Sequence, residues 1–109
     1  MNQPIPYTTR SPREIEQLAA GDAILLDVRE QDEWTAGHLE HAKLLCLSAL
    51  QEMTSAEQTG LSADKPIFSH CRAGVRSVYA AAFLRRLGIE CEPLQQGFEE
   101  LLALGLKRA

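Results

Sequence analysis

The residue best suited to chemistry in this sequence is Cys71, which opens a seven-residue segment, Cys-Arg-Ala-Gly-Val-Arg-Ser. The apolar run that ends at His70 predicts a strand, and the residues from Ser77 onward predict a helix. Backbone N–H groups at the start of a helix converge and favour negative charge there. Arg72 and Arg76 add to that field, which stabilises a thiolate. The segment therefore predicts a nucleophilic cysteine that acts on an anionic substrate.

Each part of this loop has a predicted role. Gly74 permits a tight turn, the two arginines hold the anionic substrate, and the amides of residues 73–77 surround the sulfur bound to Cys71. A general base is not needed, because the field itself forms the thiolate. The alternative is a buried structural thiol, since free cysteine often packs as a small hydrophobe. The predicted substrate-binding residues are Arg72, Ala73, Gly74, Val75, Arg76 and Ser77.

Two further polar residues, Asp27 and Arg29, end an apolar strand-like run and are expected near the same cleft. We predict a supporting role for them: they orient the loop, or they stabilise the fold as an ion pair. His70 precedes Cys71, and neighbouring residues of a strand point to opposite faces. His70 is therefore not assigned as a base for the thiol.

The other two cysteines, Cys46 and Cys91, fall in strand-like runs and are predicted to be buried and inert. Cys91 could resolve an oxidised Cys71 only if the two lay close together. Cysteines and histidines do not recur at the spacing of metal ligands, so neither a metal nor a cofactor is expected.

The elements that must position the loop follow from hydrophobic runs and turn residues. Strands that alternate with helices predict a mainly parallel sheet with helices on both faces. The predicted order is a helix from Ser11 to Gly21, a strand over 23–28, helical turns over 31–36 ended by Gly37, a strand-like run over 44–47, a helix over 48–58, a strand over 66–70, a helix over 77–87 closed by Gly88, a strand over 90–94 and a helix over 98–104.

Composition restricts the function further. The 109 residues suffice for one domain over 1–109, with a loose N-terminal segment over 1–6. The net charge of −4 argues against a nucleic-acid partner. There is no apolar run near the ~20 residues that a membrane span requires, and the first residues do not resemble a signal peptide. We expect a cytoplasmic monomer.

Four segments in order resemble the signatures of the rhodanese family. They are 25–30 (Leu-Leu-Asp-Val-Arg-Glu), 33–39 with Ala42 (Glu-Trp-Thr-Ala-Gly-His-Leu), 71–77, and 94–97 with the helix that follows. The resemblance implies an α/β fold with a five-stranded parallel sheet. It also implies a sulfurtransferase of the thiosulfate type. Sulfane sulfur would pass from thiosulfate or a persulfide donor, through a Cys71 persulfide, to cyanide or a thiol.

Two other functions stay open beside this one. A sulfur carrier or protein-interaction module would be loaded by a partner protein and would turn over poorly with small donors. A phosphatase or arsenate reductase of the same fold would place five residues between its cysteine and arginine. Four residues separate Cys71 from Arg76 here, and Ser77 occupies the arginine position. The shorter loop favours sulfur over phosphate.

Overall fold

The computed structural model describes residues 5–62 and 64–109, in which strands and helices alternate along the chain. The sheet has the order β2-β1-β3-β4, and every neighbouring pair of strands is parallel. The elements are α1 (Pro12–Ala19), β1 (Ile24–Asp27), α2 (Gln31–Ala36), β2 (Ala42–Leu44), α3 (Leu47–Leu50), a 3-10 helix (Ala56–Thr59), β3 (Ile67–His70), α4 (Arg76–Arg86), β4 (Glu92–Pro93) and α5 (Phe98–Ala103).

The strands are buried because each face of the sheet carries its own hydrophobic cluster. Along β1, Leu25 and Leu26 point to opposite faces and belong to different clusters. Leu26 packs in the cluster that includes Ala80 and Leu84 of α4, and Leu25 in the cluster that includes Ile15 of α1. The predicted α/β architecture with helices on both faces is therefore confirmed.

The five-stranded sheet that the family resemblance implies is wrong for the described residues, which form a four-stranded sheet. The segment around Thr8 runs beside β4 but makes a single backbone hydrogen bond to it, from Thr8 N–H to the Pro93 carbonyl at 2.8 Å. Pro6 and Pro93 have no N–H to donate, so a longer ladder of hydrogen bonds cannot form along this edge.

The helix predicted over 48–58 is also wrong, since this stretch forms α3 and a separate 3-10 helix. The side-chain oxygen of Gln58 accepts hydrogen bonds from the N–H groups of Thr54 at 2.6 Å and Ser55 at 3.0 Å. These bonds start a new helical turn at Ser55 and compete with continuation of α3. The helix predicted from Ser11 to Gly21 ends earlier, at Ala19, with Ala20 as its C-cap residue in a right-handed conformation.

The N-terminal segment is only partly described. The prediction of a loose segment over 1–6 falls largely on residues 1–4, which lie outside the described residues. Ile5 is partly buried and packs against the cluster that contains Leu26. In the part of the chain that is described, no helix has both the length and the apolar character needed to cross a membrane.

Candidate active site

The Cys71 loop lies at the carboxyl end of β3, which is an inner strand of the sheet between β1 and β4. Cys71 directly follows β3, and α4 begins at Arg76 after Val75 as its N-cap residue. Ligands of open parallel sheets bind beyond the carboxyl ends of the strands. The loop thus occupies the place in the fold where a substrate site is expected.

The sulfur of Cys71 lies within the curve of its own loop. It accepts hydrogen bonds from the N–H of Gly74 at 3.1 Å and from the N–H of Ser77 at 3.4 Å. Gly74 has φ of 84°, and Val75 follows in a right-handed conformation with φ −91° and ψ −52°. Successive residues of opposite handedness turn their N–H groups into one concavity that binds anions. The loop is therefore built to stabilise negative charge on sulfur.

The turn over 95–98 packs directly against the backbone of this loop. A Cβ on Gly74 would collide with the carbonyl oxygen of Gln95, and a Cβ on Gly97 would collide with that of Arg72. The N–H of Phe98 donates to the Cys71 carbonyl at 2.9 Å. Both glycines are needed for this close approach of two backbones, which explains why the C-terminal signature accompanies the cysteine loop.

Ser77 fixes the start of α4 relative to the sheet. Its hydroxyl donates to the Leu94 carbonyl at 3.1 Å, and its own carbonyl accepts a hydrogen bond from the Ser69 hydroxyl at 3.0 Å. Both serines are fully buried. The N–H of Ser77 that points to the sulfur is thus held by one residue of β3 and by the residue that follows β4.

The two loop arginines have different surroundings. The guanidinium of Arg76 donates to both carboxylate oxygens of Glu33, at 2.6 and 2.9 Å. These hydrogen bonds lower the pKa of Glu33 to about 2, and Glu33 raises the pKa of Arg76. Arg72 is exposed and has no carboxylate partner among residues 5–62 and 64–109. An anion would therefore meet an uncompensated cation at Arg72 and a paired one at Arg76.

Asp27 and Arg29 pair with each other at the end of β1. Arg29 donates to both oxygens of Asp27, at 2.7 Å from Nη2 and 3.0 Å from Nε, and both residues are buried. The Arg29 guanidinium lies 4.1 Å from the ring centre of Phe98 and donates to the Gly37 carbonyl at 2.8 Å. The pair thus joins the end of β1 to the turn that supports the loop.

His70 lies at the end of β3 beside Asp27, its partner in the β1–β3 register. It is fully buried, and neither ring nitrogen has a hydrogen-bond partner among the described residues. Its Nε2 is 3.8 Å from a carboxylate oxygen of Asp27. Burial lowers the pKa of His70, so the ring is neutral around pH 7. Neither ring nitrogen is hydrogen-bonded to the Cys71 sulfur, so the structure shows no contact through which His70 would move a proton there.

A cavity of about 300 Å³ lies beside the loop. Arg72 contributes one wall, and Arg108 reaches it from the C-terminal segment. The Arg108 guanidinium is fixed there by a 2.8 Å hydrogen bond to the Ala36 carbonyl. The lining residues are Arg29, Glu33, Ala36, Gly37, Arg72, Phe98, Glu99 and Arg108.

Three contacts around the loop were missed from the sequence. Glu33 pairs with Arg76, Arg108 enters the cavity, and the Tyr7 hydroxyl donates to the Gly74 carbonyl at 2.8 Å. Each joins parts of the chain that are far apart in sequence, so no local pattern reveals it. The only signal was that Glu33 falls in one of the recognised segments. Within the described residues, no group of three or more His, Cys, Asp or Glu could hold a metal ion.

Comparisons with known proteins show what this chain is similar to. The sequence model of the Rhodanese-like domain family matches residues 11–104. The uncharacterized protein YqhL of Bacillus subtilis is 38% identical over 88 residues, which cover 78% of this chain and 67% of that protein. The thiosulfate sulfurtransferase GlpE of Coxiella burnetii is 29% identical over 83 residues, covering 76% and 65%. The structure of the human single-domain sulfurtransferase TSTD1 superposes with a TM-score of 0.69 at 25% identity, covering 94% and 97%.

Proposed function

Since the chain belongs to the rhodanese-like domain family, we propose that it is a thiosulfate-type sulfurtransferase in which Cys71 carries the sulfur as a persulfide. The observation that carries this proposal is the pair of backbone N–H groups, from Gly74 and Ser77, directed at the Cys71 sulfur. Charge on a thiolate or on the outer sulfur of a persulfide is stabilised by donors of this kind.

The first half-reaction follows from this arrangement. The Cys71 thiolate attacks the outer sulfur of thiosulfate and forms a new S–S bond. The S–S bond of thiosulfate breaks, and its electron pair leaves with sulfite. Cys71 then carries a persulfide anion, and no proton transfer is needed. The positive field of the loop serves both the entering thiolate and the persulfide product.

The second half-reaction restores the enzyme. Cyanide, or a thiolate acceptor, attacks the outer sulfur of the persulfide and takes it as thiocyanate or as a new persulfide. The electron pair of the broken bond returns to Cys71 as thiolate. The loop donors then hold the same charge as before the cycle, so one set of N–H groups serves both steps.

The cavity beside the loop supports an anionic sulfur donor. Arg72 and Arg108 both line it, and neither forms an ion pair with another described residue. Glu99 is the carboxylate of the lining that has no described ion-pair partner, so the uncompensated charge of the wall is positive. Cys71 itself is only 1% exposed, which favours a small donor such as thiosulfate over a bulky one.

The loop geometry opposes a phosphatase. The Arg76 guanidinium donates to both carboxylate oxygens of Glu33, so its charge is already paired and is not free to clamp a phosphate dianion. In a sulfurtransferase the N–H groups of the loop suffice, because a single sulfur atom has to be stabilised. A sulfur carrier would have the same geometry as the enzyme but different kinetics. The number of turnovers with thiosulfate and cyanide therefore distinguishes the two functions.

The test is steady-state thiosulfate:cyanide sulfurtransfer with purified wild type and Cys71→Ser, alongside hydrolysis of a generic aryl phosphate. We expect saturation with thiosulfate, thiocyanate as product, and loss of all turnover in Cys71→Ser. Thiocyanate formation that never exceeds one turnover would reject the enzyme in favour of the carrier. Phosphate release that depends on Cys71 would reject sulfur transfer altogether.

A further inference from the structure

Tyr7 touches the cysteine loop from the opposite end of the sequence. Its hydroxyl donates to the carbonyl of Gly74 at 2.8 Å, across 67 positions of the chain. The segment that carries it is held in place, because the Thr8 N–H donates to the Pro93 carbonyl and Ile5 packs against the core. The hydroxyl is therefore presented to the loop from a fixed support.

The geometry of one peptide bond links this contact to the sulfur site. The described chain contains no cis peptide bond, so the peptide between Gly74 and Val75 is trans. In a trans peptide, the C=O and the following N–H point in opposite directions. When Tyr7 holds the Gly74 carbonyl on the outside of the loop, the Val75 N–H is turned toward the inside.

The Val75 N–H is also available for a ligand. It has no hydrogen-bond acceptor among the described residues, whereas the N–H groups of Gly74 and Ser77 already point to the Cys71 sulfur. Gly74 with positive φ, followed by right-handed Val75, directs these amides into one concavity. A second sulfur atom on Cys71 needs further donors, and Val75 supplies the next one along the chain.

The carbonyl of Gly74 needs an external support. Glycine has the greatest backbone freedom of any residue, so the peptide that follows Gly74 can rotate at little steric cost. A hydrogen bond to the carbonyl opposes that rotation. It also polarises the peptide and makes the Val75 N–H a stronger donor. The Tyr7 hydroxyl therefore affects both the orientation of the Val75 N–H and its strength as a hydrogen-bond donor.

We propose that Tyr7 is a positioning residue for sulfur transfer: its hydroxyl holds the Gly74–Val75 peptide so that the Val75 N–H faces the outer sulfur of the Cys71 persulfide. This inference rests on the proposed function for its chemistry. The orientation of the Val75 amide can be measured in the absence of catalysis, so the geometric part of the proposal is tested independently.

The experiment compares Tyr7→Phe with Tyr79→Phe, which removes a hydroxyl from an exposed tyrosine on α4 that makes no hydrogen bond with a described residue. Both changes keep the aromatic ring, so packing is preserved. In the thiosulfate:cyanide assay, we expect Tyr7→Phe to lower kcat about three- to tenfold, the effect of one hydrogen bond. The KM for thiosulfate should stay within about twofold, because Tyr7 does not touch the donor. Tyr79→Phe should match wild type.

A second readout does not depend on turnover. In ¹⁵N-labelled protein, the amide resonance of Val75 should move in Tyr7→Phe, and its solvent exchange should quicken, while Tyr79→Phe leaves both unchanged. Melting temperature, measured in parallel, identifies a variant that merely loses stability. A Tyr7→Phe protein with wild-type kcat and an unmoved Val75 resonance would overturn the proposal. A moved resonance in a protein that never transfers sulfur would retain the geometry and reject the proposed function instead.

Discussion

Cys71 and Cys91 are buried to the same degree but lie at opposite ends of the sheet. Each is 1% exposed, and both pack in the same hydrophobic cluster. Cys71 follows β3 at its carboxyl end, and its sulfur receives two backbone N–H groups. Cys91 precedes β4 at its amino end, where burial raises the pKa of its thiol to about 12. The two thiols are therefore equally buried, and what distinguishes Cys71 is the pair of backbone N–H donors at its sulfur.

The register of the sheet also keeps the two cysteines apart. Glu92 pairs with Phe68, so Cys91 lies near the level of Ile67, four residues before Cys71 along β3. At the ~3.3 Å rise per residue of a parallel strand, this is about 13 Å. A disulfide requires Cα atoms within about 7 Å. Cys91 is thus too far from Cys71 to act as its resolving thiol in this fold.

The largest expected effect comes from removing the donors that distinguish Cys71. In Gly74→Ala, the new Cβ meets the Gln95 carbonyl in a backbone conformation with φ of 84°. The loop must shift, and the N–H of residue 74 leaves the sulfur. We expect kcat/KM for thiosulfate to fall about 100-fold, as when one donor to a reacting anion is lost. Steady-state kinetics measure it.

Gly88→Ala provides a matched control for this variant. Gly88 has a similar φ of 87°, but a Cβ there meets no atom within 4 Å. Gly88 follows the C-terminal end of α4, whereas the cysteine loop precedes the N-terminal end of the same helix. We expect a similar backbone cost, about 1–2 kcal/mol, with kcat/KM within about twofold of wild type. Equal activity losses in the two variants would show that Gly74 acts only through backbone strain.

A smaller effect is expected from Glu33→Gln, which removes the ion-pair partner of Arg76 at the start of α4. We expect kcat/KM to fall about threefold, the effect of one weakened ion pair. Glu14→Gln, which breaks the exposed pair with Arg10, should leave activity unchanged. A rise in kcat/KM for Glu33→Gln would instead mean that Arg76, once unpaired, binds the anionic donor itself.

The loss of stability caused by Glu33→Gln should depend on pH. The pKa of Glu33 is lowered from 4.5 to about 2 in the folded protein, chiefly by the hydrogen bonds from Arg76. Its contribution to stability is therefore complete above pH 4.5 and is lost as the pH falls through about 2. We expect the melting temperatures of wild type and Glu33→Gln to differ most above pH 4.5 and to converge toward pH 2. A difference that is constant across this range would contradict the lowered pKa.

The local features of the site could be predicted from the sequence, and its long-range contacts could not. The apolar run before Cys71 and the glycine and arginines after it place the loop between a strand and a helix. The contacts of Tyr7 and Arg108 depend on where the chain termini lie in the folded protein, which no short pattern contains. The prediction of a fifth strand was wrong for a similar reason, because its hydrogen bonds depend on prolines in two distant segments.

Replacement of Cys91 is expected to have the smallest effect on activity, because we expect its thiol to be unreactive in the folded protein. With the pKa of its thiol near 12, almost none of it is thiolate at pH 8. In the native protein, we expect iodoacetamide to label Cys71 and to leave Cys91 unmodified until urea unfolds the chain. Peptide mapping of the alkylated protein measures both sites at once. Labelling of Cys91 at the rate of Cys71 without denaturant would remove the distinction between the two thiols.

A persulfide on Cys71 is tested most directly by the intact mass of the protein. The protein is first reduced, then incubated with thiosulfate, and it is measured after removal of the reagent and without reductant. Wild type, Cys71→Ser and Cys91→Ser form the matched set. If Cys71 carries the persulfide, wild type and Cys91→Ser each gain one sulfur atom and Cys71→Ser gains none. A sulfur retained by Cys71→Ser, or a wild-type protein with reduced thiols that gains none, would contradict a persulfide on Cys71.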